Sequence, residues 1–148
     1  MRGRNFVNFF KRYAMASVVG DLFFETIQMG SLRTVPYYLY CRAIELGFKS
    51  YLLCKRVPID ELKFKIGHNL VDARTKCETH GLYELLTFDT TQLRELEKAN
   101  DFYVAKGFEC FFVTKAVVGY PDLPAIPVLE SIATTLVNDL RQYCIDAA

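Results

Sequence analysis

Three pairs of residues in this chain have side chains and spacings that can do chemistry. Glu45 and Lys49 stand four apart with the acid on the N-terminal side, the favourable order for an ion pair along a helix. The sequence around them, from Tyr37 onward, reads as a helix that is apolar almost all the way round. Such a helix is central, and charges on it are paired or used. Buried together, the two need further hydrogen bonds to offset desolvation, and Arg42, Tyr38 and His68 are candidate partners. Two roles fit the pair: a polar clasp that fixes helix register, or a ligand or phosphate site that includes Lys49.

His68 and Asp72 are also four apart, so the carboxylate can orient the imidazole for acid–base work. The competing reading makes Asn69 the cap of a helix that starts there, with Asp72 favouring its dipole. Arg74 and His80 suit RNA chemistry, the arginine stabilising phosphorane charge and the histidine moving a proton in attack by a 2′-hydroxyl. On one helix they would sit about 9 Å apart along the axis and on different lines. A joint site therefore needs a bend or a second subunit; otherwise Arg74 is surface and His80 complements a helix C-terminus. The ligand-binding candidates are thus Glu45, Lys49, His68 and Asp72, and the catalytic candidates are Arg74, His80 and His68.

No cofactor is expected. Two histidines without clustered acids or cysteines argue against a metal site. No glycine-rich phosphate loop, carboxylate pair or Ser-His-Asp arrangement is present.

The elements that would position these residues are helical. Phe9, Tyr13, Ala16, Gly20, Phe23 and Ile27 recur at helical steps and predict a first helix over about Val7–Met29, stopped by Gly30. Pro36 suits a first helical turn, and the central helix runs to about Lys55 before Val57-Pro58 breaks it. A third helical region covers Asp60–Thr79, divided near Gly67 and stopped at His80-Gly81. Asp89-Thr90-Thr91-Gln92 resembles an N-cap signal for a helix carrying Leu93, Leu96, Ala99 and Tyr103. Phe108–Val118 favours a strand, hairpin or extended arm. Leu129, Ile132, Ala133, Leu136, Val137, Leu140 and Tyr143 make the apolar stripe of a last helix. The expected fold is all-α, an up-and-down bundle of four to six helices in a single domain over residues 1–148, with a short extended segment near 108–118.

The chain of 148 residues is long enough for one buried core, and its twelve Phe and nine Tyr give that core bulk. Net charge is +1, unevenly spread: Arg33–Lys76 holds nine Lys or Arg against four Asp or Glu, whereas Pro121 onward holds four acids against Arg141. Such polarity permits a basic face for nucleic acid or nucleotide, and equally an ordinary solvated surface. Five scattered cysteines without a Cys-x-x-Cys pair fit reduced thiols in a cytoplasmic protein. No secretory signal is visible, and Lys106, Glu109 and Lys115 interrupt the longest apolar stretch, so no membrane partner is expected.

The motifs together resemble the HEPN superfamily (higher eukaryotes and prokaryotes nucleotide-binding domains) in its bacterial branches. Tyr13 with Ala14 and Ala16 matches the first helix, Ala43-Ile44-Glu45-Leu46-Gly47-Phe48-Lys49 the Ala-x-Glu-Leu-x-x-Lys helix, and Gly67-His68-Asn69-Leu70 the Gly-His-x-Leu element. The likeness spans Tyr13–Leu85, and Phe102-Tyr103 to Gly119-Tyr120-Pro121 echoes a later feature. It implies a helical bundle, often homodimeric, working beside nucleotidyltransferases, in toxin–antitoxin systems or as a metal-independent endoribonuclease. Catalytic members use Arg, four to six residues, then His. Arg74 to His80 has that spacing, with Thr75 where Asn, Asp or His is usual, and in an earlier helix than expected. The function this implies is nucleotide- or RNA-associated binding or regulation in a stress or defence setting. The alternatives are a divergent endoribonuclease and a protein-interaction module with no nucleic-acid role.

Overall fold

Pro36 sits in the first turn of the helix that organises the rest, α1 (Val35–Cys54). There its missing N–H has no intrahelical partner to lose. The computed structural model describes residues 34–107 and 122–147. The helix expected over Val7–Met29 and the extended or hairpin segment expected near 108–118 lie outside those residues.

Four more helices follow among the described residues: α2 (Ile59–Glu61), α3 (Leu70–Thr79), α4 (Thr90–Val104) and α5 (Ile126–Asp146). Among the described residues the fold is all-α, as the 3.6-residue periodicity predicts. α1 is the inner post. It packs most extensively on α5, and also on α3 and α4. Cys41, Ile44, Phe48, Tyr51 and Leu52 on α1 meet Leu129, Ile132, Leu136 and Leu140 of α5 and Leu70, Ala73 and Cys77 of α3 in one buried cluster. Gly47 lets α1 and α5 close up, because a Cβ there would lie 3.2 Å from Leu136 Cβ. Phe88 meets the Phe48 ring edge-on at 6.0 Å.

Helix ends are set by local chemistry. α1 stops in a Schellman motif: the Arg56 N–H bonds to the Leu53 carbonyl and the Val57 N–H to the Leu52 carbonyl, 3.0 Å each. Arg56 takes the left-handed conformation this requires, at φ 63°. α4 ends the same way, with Lys106 left-handed at φ 57° and the Gly107 N–H on the Phe102 carbonyl. α4 begins with a capping box in which Asp89 and Gln92 bond each other's backbone N–H.

α2 passes directly into a π-helical turn, Leu62–Ile66. Leu62 and Ile66 of that turn reach the core, while Lys63, Phe64 and Lys65 between them are exposed. The chain then reverses at Gly67, the division expected there. Gly67 has φ 57° and ψ −121°, and the Asn69 N–H bonds back to the Ile66 carbonyl at 3.1 Å. That is the first central position of a type II′ turn, where a side chain is strained and glycine is not. Asn69 then caps α3 by accepting the Asp72 N–H at 3.0 Å.

Candidate functional site

The end of this turn and the middle of α1 meet at one carboxylate. Glu45 is 1 % exposed and its two oxygens are crowded with donors. Lys49 Nζ lies 2.7 Å from Oε1, and Arg42 Nη1 lies 3.1 Å from both oxygens. His68 Nδ1 is 3.0 Å from Oε2, and the Tyr103 hydroxyl donates to the same oxygen at 2.5 Å. Lys49 also donates to the Gly67 carbonyl, so one ammonium ties α1 to the turn.

Each donor is placed by its element. Arg42, Glu45 and Lys49 occur at helical steps of three and four on α1 and share a face. Gly67 supplies the reversal that swings His68 back over that face. Tyr103 comes from the last turn of α4, its ring 6.0 Å from those of both Tyr38 and His68. Asn100, one turn earlier on α4, accepts the Leu70 N–H at 2.7 Å and fixes the start of α3 beside the site.

A carboxylate has about four lone-pair positions, and here they are filled. Burial pushes the Glu45 pKa up, but the bonds from Lys49, Tyr103 and His68 outweigh burial and hold it below the ordinary carboxylate value. Burial, then the hydrogen bond to Glu45 and that group's charge, push the Tyr103 phenol up, so it remains a donor. A saturated carboxylate is a poor base and a poor metal ligand. Its chemical effect lies in what it orients.

Two of the groups it orients face outward. The His68 side chain is 63 % exposed and that of Arg42 39 %. When His68 gives Nδ1–H to Glu45, the neutral ring keeps its lone pair on Nε2. The guanidinium uses Nη1 on the carboxylate, leaving the outer side of its fork for another acceptor. Lys49 and Arg42 set two cations against the one anion of Glu45, so the rim is net positive; Arg42 offers it N–H donors, and His68 Nε2 offers an acceptor for a ligand hydroxyl or amine. It suits a phosphate or carboxylate from solution, not a cation.

The other sequence candidates fall elsewhere. Asp72 is exposed in the first turn of α3, where its N–H is capped by Asn69. His68 pairs with Glu45 instead of Asp72. Arg74 pairs along α3 with Glu78 at 3.8 Å, and its Nε has no hydrogen-bond acceptor among the described residues. His80 closes the end of α3: Nδ1 lies 2.8 Å from the Lys76 carbonyl, and its own carbonyl accepts the Tyr51 hydroxyl at 2.8 Å. Among the described residues no hydrogen bond or ion pair joins Arg74 to His80.

Tyr103 is the site residue that sequence reading assigned to an apolar stripe; a tyrosine at a core-facing position needs a partner for its hydroxyl, which was the available signal. Glu95 was not singled out. It is a second buried carboxylate, on α4, and accepts the Ala125 N–H at the start of α5 at 2.8 Å. That bond, with help from Arg94 and Lys98, keeps its pKa low against burial. Its role is to join α4 to α5.

Among the described residues no helix is long and apolar enough to cross a membrane, and no group of three or more His, Cys, Asp or Glu is placed to hold a metal ion. Compared with known proteins, the chain matches no family model, no curated protein and no solved structure.

Proposed function

We propose that this is a HEPN-like helical bundle that binds a nucleotide or RNA phosphate at the rim formed by Arg42 and His68, in a binding or regulatory role. The observation that carries the reading is the convergence of Arg42, Lys49, His68 and Tyr103 on the one buried carboxylate of Glu45. A purely structural ion pair needs one cation. This one holds a guanidinium and an imidazole at the surface, with geometry fixed from three elements. The guanidinium is a preorganised donor for a phosphate and the imidazole Nε2 a preorganised acceptor for a nucleotide hydroxyl, so little ordering is left to do on binding.

Cleavage is not part of the proposal, because Arg74 and His80 are engaged separately. Homodimer formation, implied by the same likeness, is proposed alongside and is read by light scattering of the full chain.

The test is anisotropy of a labelled single-stranded RNA and a labelled mononucleotide at 50 and 200 mM salt. Binding should weaken as salt rises, since each phosphate contact releases a counterion. Arg42→Gln should lower affinity by about ten-fold, the worth of one charge-assisted contact. Its melting temperature should stay near that of wild type, because Glu45 keeps three donors. Absence of binding to either probe at 50 mM salt, or full affinity in Arg42→Gln, would refute the proposal.

A further inference from the structure

We infer that the π-helical turn beside this site is a platform for single-stranded nucleic acid, with Phe64 stacking on a base and Lys63 and Lys65 meeting its phosphates. The inference rests on the reading of the Arg42–His68 rim as a phosphate site and extends it to a polymer.

Phe64 is 74 % exposed, above every other large apolar side chain among the described residues. The turn explains how it is held out. Leu62 and Ile66 anchor both ends in the core, so the residues between them are carried on a rigid base. A ring presented on a fixed backbone loses little freedom when a base stacks on it. Lys63 Nζ sits over one face of the Phe64 ring, 5.1 Å from its centroid; a base stacks on the opposite face or displaces the flexible ammonium, which then stays within reach of the nucleotide's phosphate.

The surroundings are complementary to a polyanion. Lys63 and Lys65 are exposed, and neither has a carboxylate within ion-pair distance among the described residues. Of the two acids in the same stretch, Glu61 is already bonded to Lys76 at 2.8 Å, leaving Asp60 to oppose the two lysines. The chain runs from Phe64 to His68 in four residues, a reach of at most about 14 Å. That is no more than the span of about four stacked nucleotides, so one short strand is long enough to meet both features.

Size selects the ligand class. A stable protein interface removes about 800 Å² from each partner, whereas a phenylalanine ring offers about 200 Å². Ile59, 68 % exposed, adds one side chain. This apolar area suits one base and falls well short of a second protein copy.

The experiment measures a labelled ten-nucleotide single-stranded RNA, inorganic phosphate and anionic lipid vesicles against the full chain. Phe64→Ala should weaken RNA binding about ten-fold and leave phosphate binding unchanged. Phe64→Trp should restore or tighten it. Lys63→Gln with Lys65→Gln should flatten the salt dependence by about 1.4 in log–log slope, from about 0.7 per phosphate contact on a single strand. Far-UV circular dichroism should show all variants folded, since these side chains are exposed. Equal RNA affinity in Phe64→Ala overturns the platform while the phosphate site stands. Wild type that binds neither RNA nor phosphate overturns both. Wild type that binds phosphate and vesicles but not RNA overturns the platform alone.

Discussion

Glu45 shows how burial and hydrogen bonding decide a single residue's behaviour. Burial favours the protonated carboxyl, but the bonds from Lys49, Tyr103 and His68 favour the carboxylate and win, so the pKa lies below its ordinary value of 4.5. The unfolded chain therefore takes up this proton first as pH falls. The stabilisation is complete above about pH 4.5 and declines as pH drops through the folded pKa. Glu45→Gln should destabilise the protein by about 3 kcal/mol near neutrality, because it leaves Lys49 and Arg42 facing a neutral group. The difference in melting temperature between wild type and Glu45→Gln should shrink as pH is lowered from 7 to 3. A constant difference over that range would show that the carboxylate's charge is immaterial. The acid and base of this cluster were legible in the sequence from their four-residue spacing on an apolar helix. The hydroxyl was not, because Tyr103 also satisfies a core stripe, and which tyrosine reaches the carboxylate depends on how α4 lies across α1.

At the scale of elements, two residues with positive φ make a contrast. Arg56 occupies the left-handed position of a Schellman motif, where glycine is preferred. Arg56→Gly should therefore raise stability by about 1 kcal/mol, removing a Cβ from a conformation that disfavours it. Gly67→Ala should do the opposite by about 1–3 kcal/mol, although a Cβ there meets nothing closer than the Lys63 carbonyl at 3.9 Å. The penalty comes from backbone conformation alone. Chemical denaturation of both variants checks the pair, and shifts of the same sign would contradict it. Caps were the most readable features of the sequence, because Asp89 with Gln92 and Asn69 with the Asp72 backbone act within four residues. Glu95 capping α5 from α4 spans thirty residues, and no local pattern announces such a partner.

For the molecule as a whole, the all-α class and the central position of α1 followed from periodicity, since a helix apolar on most sides must be surrounded. The tight approach of α1 to α5 was less legible. Gly47 reads as a weak spot in a helix until Leu136 is seen against it. The same packing grades the thiols. Burial pushes Cys41 and Cys77 well above the ordinary thiol pKa, and Cys144 is also raised, first by its contact with Cys54 and then by burial. Cys54, half-buried at the end of α1, is lowered by that contact and by Lys55. Alkylation with iodoacetamide followed by peptide mapping should label Cys54 at least ten times faster than Cys41, Cys77 or Cys144. Equal rates would mean that the α1–α5 seam opens readily.

The crowding of donors on Glu45 also constrains how the chain can change by descent. A lineage that loses the acid in one step leaves the largely buried ammonium of Lys49 without its anion, and losing Lys49 first takes a cation from the acid and a donor from the Gly67 carbonyl. Neither intermediate is comfortable, so these positions should drift as a set or stay put. Aligned descendants in which Glu45 becomes apolar should carry an uncharged residue at 49 as well.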